Sequence, residues 1–80
     1  MPTLLMLHGY RFYFYSHETG EPPHVHVEHQ GKSAKFWLRE NTCARSRGYS
    51  PVELRRIGRI IANHRDDFQR KWNEYFNSDT

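Results

Sequence analysis

Cysteine is almost absent from this chain: Cys43 stands alone among 80 residues. A single thiol excludes an internal disulfide and any thiolate zinc cluster, and the expected compartment is a reducing cytoplasm. Long hydrophobic runs are missing as well. The apolar stretch Leu4–Leu7 falls far short of the roughly 20 residues that cross a bilayer. The opening MPTLLMLHGY has neither the basic region nor the cleavage site of a signal peptide. The expectation is a cytoplasmic chain with no membrane partner. No repeat, low-complexity tract or linker divides it, so 80 residues make one domain. A core of that size is thin. Aromatic residues, 15% of the chain, offset this, because each buries on the order of 150–250 Å².

What is present is positive charge, and it is unevenly spread. The net charge is +3 with histidines neutral, and the pI is about 9.3. These values suit a nucleic acid, an acidic protein or no charged partner at all. The distribution says more. Arg39, Arg45, Arg47, Arg55, Arg56 and Arg59 fall within 21 residues, against Glu40 and Glu53 alone. Residues 60–80 are close to balance.

Periodicity divides the chain into a strand-rich half and a helical half. Leu4–Leu7 predicts a first strand, punctuated by His8-Gly9. YRFYFYS (10–16) follows, with Tyr10, Phe12 and Phe14 on one face and Arg11, Tyr13 and Tyr15 on the other. The Phe face is taken as core. HETGEPP (17–23) predicts a loop, and HVHVEH (24–29) alternates strictly. QGK (30–32) predicts a tight turn into SAKFWL (33–38), closing an antiparallel hairpin. Trp37, Phe68 and Trp72 join the expected core, whereas Tyr13, Tyr15 and Phe36 suit either the core or a base-stacking surface. RENTCARSRGYS (39–50) is polar, basic and aperiodic, and predicts a loop.

A helix starts at SPVE: Ser50 is the N-cap, Pro51 the first helical residue, and Glu53 closes a capping box. Leu54, Ile57, Ile61, His64, Phe68, Trp72 and Tyr75 then recur at steps of three and four, which makes one amphipathic stripe. A single straight helix of about 26 residues would reach about 39 Å and overhang a small sheet. A kink or break near Asn63 is therefore expected, with Asn63 able to cap a second helix. The resulting fold class is α+β: three or four mainly antiparallel strands over residues 3–38, a basic loop at 39–50, and a helical part at 51–76 packed on one face.

The chemistry-bearing residues form two groups. In a strand, His24 and His26 share a face, with Cα atoms about 6.5–7 Å apart, and Glu28 extends the column. Such a column suits a solvated hairpin face, acid–base or RNA contact, or a metal held by His24, His26 and Glu28. No second ligand pair elsewhere supports the metal. His64, on the apolar stripe, suits a hydrogen-bonded core histidine. Arg45 and Arg47 lie just before a capped helix. A phosphate there would meet guanidinium forks and the positive end of the helix dipole; the alternative is a solvated basic loop.

GYRFYFYS, EPPHVHVE, AKFWL, ARSRGYSPVELRRI and WNEYF together resemble the small bacterial family known as domain of unknown function 4160. The resemblance implies one half of a two-gene unit whose other product is a small DNA-binding, antitoxin-like protein. It further implies the toxin half for this chain, with RNA or the translation apparatus as target. The polar positions matching the family motifs are Glu21, His24, His26, Lys35, Arg45 and Arg47. His8, His17 and His29 fall outside the motif cores. On this reading His24 and His26 form an acid–base pair, Glu21 orients one imidazole, and Lys35, Arg45 and Arg47 bind phosphate. Metal-independent RNA cleavage is the chemistry such a set suits, with no cofactor required. The competing reading is a non-catalytic module that docks an acidic protein.

Overall fold

The structure is a computed structural model that describes residues 3–15 and 20–77. Residues 17–19 of the expected loop, His17 included, lie outside the described residues. Among the described residues, five strands precede two helices: β1 (Thr3–Leu7), β2 (Tyr10–Tyr13), β3 (His24–His29), β4 (Lys32–Trp37), β5 (Thr42–Arg47), α1 (Pro51–Asn63) and α2 (Arg65–Asn77). The strands form one antiparallel sheet in chain order. No described helix is long and apolar enough to cross a membrane.

Two tight turns set the register. His8 and Gly9 join β1 to β2 with φ of 52° and 85°, and Gln30 and Gly31 join β3 to β4 with φ of 50° and 81°. Positive φ at both central residues matches the right-handed twist of the flanking strands, so the pairing leaves each turn in step. Gly9 is further constrained by its neighbour. A Cβ there would stand 2.9 Å from Nε2 of His29.

The expected core face is the observed one. Tyr10, Phe12, Phe14, Val25 and Val27 are buried, and Ala34, Phe36 and Leu38 continue the layer across β4. Ile57, Ile60, Ile61, Phe68 and Trp72 close it from the helices. The Phe12 and Phe68 rings lie 5.7 Å apart, and Phe14 meets Trp72 edge-on at 5.4 Å. The alternation within AKFWL therefore resolves as Phe36 inward. Trp37, expected in the core, is only half-buried and turns to the other side of the sheet. Tyr75 ends the helical stripe at the surface, although its ring still touches Phe14.

Three boundaries depart from expectation. The sheet has five strands rather than three or four, because residues 42–47 of the expected loop form β5. Every residue of β5 is exposed, so no buried face imposes the alternation by which a strand is detected in sequence. β2 ends at Tyr13, leaving Phe14 and Tyr15 beyond it. The helical part is broken near Asn63 as expected, but Asn63 closes α1 and does not cap α2, with His64 at the break. His64 Nδ1 lies 2.9 Å from the Ile60 carbonyl, and its ring stacks on Phe68.

The helix start is the expected one. Ser50 Oγ accepts from the Glu53 amide at 3.2 Å, and the Glu53 carboxylate accepts from the Ser50 amide at 3.3 Å. Ser50→Ala should therefore cost about 0.5–2 kcal/mol, read as a lower urea midpoint with an unchanged slope. An unchanged midpoint would mean the cap contributes nothing.

Candidate phosphate-binding face of the sheet

Residues paired across neighbouring strands share a face, so the register writes out the side of the sheet opposite the core. One row runs Tyr13–His26–Lys35–Arg45 across β2 to β5. The next runs Arg11–Glu28–Ser33–Arg47. With strands about 4.8 Å apart, His26 and Arg45 are separated by two strand spacings, about 10 Å at the backbone. The strand and the supposed loop thus meet because the supposed loop is the next strand but one. His26, Lys35, Arg45 and Arg47 line a single groove of about 300 Å³ together with Tyr13 and Tyr15.

His26 is fixed by aromatic contacts. The Tyr13 ring stacks on it at 5.4 Å with planes 21° apart, and Tyr15 meets it edge-on at 4.7 Å. The two phenol oxygens lie 3.4 Å apart. Burial, followed by the Tyr15 hydroxyl, pushes the Tyr13 phenol well above its ordinary value of 10. Tyr13 therefore stays neutral across the physiological range. Arg11 stacks over its outer face at 4.6 Å while donating to Glu28 at 2.7 Å.

The remaining candidates separate by burial. His24 is fully enclosed, its ring among His26 (5.1 Å), Trp37 (5.7 Å) and Trp72 (5.0 Å). Its Nδ1–H donates to the Pro22 carbonyl at 2.9 Å, which sets the tautomer. His24 does not line the groove, so the column read as an acid–base pair presents one imidazole there. Lys35 is 5% exposed. Its ammonium donates to Glu21 and sits 4.6 Å over the Trp37 ring. Glu21, expected to orient a histidine, thus places its carboxylate on Lys35. The Lys35 charge still borders the groove, but its donors are partly spent on Glu21.

Arg45 and Arg47 are exposed and carried by β5, not by a loop at the helix start. The start of α1 is a poor place for an anion, because Glu53 already supplies a carboxylate to its first amides. The Ser50 amide and Lys32 hold that carboxyl below its usual range, so it stays charged. The alternative metal column also fails to converge, since Glu28 turns to Arg11. Among the described residues no group of three or more His, Cys, Asp or Glu side chains is placed to hold a metal ion.

Tyr13 and Tyr15 are the aromatic groove residues, and the sequence assigned them no definite role. Their signal was the alternation of YRFYFY, which set them on the face opposite Phe12 and Phe14. The arrangement can bind a phosphodiester: guanidinium groups on one side, an imidazole held by two phenols on the other, and no carboxylate among the described lining side chains.

The family model for Domain of unknown function (DUF4160) matches residues 9–73, which takes in the whole groove. The chain belongs to this family. No curated protein and no solved structure matches it.

Proposed function

We propose that this DUF4160 chain is the toxin of a bacterial type II toxin–antitoxin pair and acts on RNA through the open face of its sheet. The toxin half of the reading rests on the resemblance to one partner of a two-gene unit. The RNA half rests on one observation: His26, Lys35, Arg45 and Arg47 border one groove whose lining, among the described residues, includes no carboxylate. Phosphate there meets cationic donors, and a single strand offers it without the rigid duplex that a small groove excludes.

Each residue then has a distinct task. Arg45 and Arg47 fork onto phosphate oxygens and steady the charge that develops on them. His26 gives or takes the proton, held in place by Tyr13 and Tyr15. His24 is a positioning residue that braces the His26 ring from inside the fold. Lys35 adds positive potential from below. Tyr15, half-buried at the groove margin, offers an aromatic surface for a base.

Expression of the chain without its DNA-binding partner should slow bacterial growth, and co-expression of the partner should restore it. His26→Ala and Arg47→Ala should each remove the inhibition while leaving circular dichroism unchanged. Normal growth with abundant folded protein would refute the toxin reading. Retained inhibition in both variants would move the activity away from the groove and favour a docking module.

A further inference from the structure

The outer edge of β5 is the most open backbone in the described fold. All six of its residues are exposed. Among the described residues, the backbone hydrogen bonds lying outside helices and strands engage none of residues 42–47. The register shows which groups point outward. Two-residue turns make Leu7/Tyr10 and His29/Lys32 mutually bonded pairs. Counting by twos, Val27 bonds with Ala34, so Ser33 and Lys35 turn their backbone groups towards β5. There they pair with Arg47 and Arg45. Ser46, between these two, presents its N–H and C=O away from the sheet.

We infer that this edge accepts an extended acidic segment of a partner protein as a sixth strand, centred on Ser46 and carrying carboxylates opposite Arg45 and Arg47. Strand addition supplies the backbone bonds, and alternate side chains supply the selectivity. The charge on the edge decides the occupant. A second copy pairing about Ser46 would set Arg45 against Arg47 of its neighbour, and like charges directly opposite are unfavourable. A neutral apolar strand would leave both guanidinium groups facing side chains that cannot accept from them. An alternating acidic strand satisfies both, and the surrounding residues 39–59 carry six arginines against two glutamates. The register shift between Lys35 and Phe36 twists the start of β5. Such a bulge guards an edge against indiscriminate pairing while leaving Arg45–Arg47 regular. The inference does not need the RNA reading, since it follows from the backbone edge and its charge.

The test uses the full chain and a capped eight-residue peptide alternating glutamate with threonine, with a lysine–threonine peptide as control. The acidic peptide should bind saturably, and the Ser46 amide should exchange with deuterium at least ten-fold more slowly in the complex. Ser46→Pro removes the outward N–H and should weaken binding by ten-fold or more. Arg45→Glu/Arg47→Glu keeps the backbone donor and should transfer preference to the lysine peptide, which covers the case in which the proline variant does not fold. Equal binding of both peptides, unchanged exchange at Ser46, or dimerisation of the chain through β5 would each overturn the inference. A chain that binds the peptide but no oligoribonucleotide would instead sink only the RNA reading.

Discussion

Phe68→Ala is expected to remove about 3–5 kcal/mol of the chain's stability. Phe68 is fully buried, stacked under His64 and 5.7 Å from Phe12, so it joins the second helix to the centre of the sheet. Truncating a buried Phe costs about 3–5 kcal/mol, the lost transfer energy plus the cavity left behind. A chain of this length has about 4–12 kcal/mol in total, at roughly 0.05–0.15 kcal/mol per residue. The loss takes most of that at the low end. Urea melts followed by tryptophan fluorescence would measure it, since Trp72 lies in the same layer. A midpoint close to that of the unaltered protein would mean that α2 is not docked on the sheet through this ring.

The second large effect concerns binding. Arg45→Ala/Arg47→Ala should weaken the affinity for a short single-stranded oligoribonucleotide by on the order of ten-fold per arginine, about 1.4 kcal/mol each. Both side chains are exposed, so thermal stability should hold. Salt dependence provides the sharper criterion. Each phosphate contact on a single strand contributes about 0.7 to the slope of log affinity against log salt. Losing two contacts should flatten that slope by about 1.4. A weaker affinity with an unchanged slope would show that the arginines act through the fold and not through phosphate.

Some of this was legible in residue patterns because burial leaves a period. The strict alternation of HVHVEH marked β3 to the residue, and the Ser50–Glu53 box marked the start of α1. The helix break near Asn63 was legible as an argument about length, though Asn63 closes α1 and does not cap α2. Trp37 misled because an aromatic residue in a strand is usually buried. Here Phe36 takes the inward position, and the neighbouring ring must face the other way.

By itself the sequence determined the fold class, the core face and the identity of the charged groups, since hydrophobic period and capping chemistry are local properties. Only the tertiary structure decided which of those groups meet. Residues 42–47 bury nothing, and their assignment as a strand depends on a partner, β4, whose pairing cannot be read from their own composition. Once that strand is in place, Arg45 falls in the row of His26 and Lys35, and Arg47 in the row of Glu28. Packing then gave different neighbours to two histidines that look alike in sequence and are both buried. His24 is shut in by Trp72, a residue 48 positions further along the chain, while His26 borders the groove. Contacts between distant segments follow from packing in three dimensions, and no local period in the sequence encodes them.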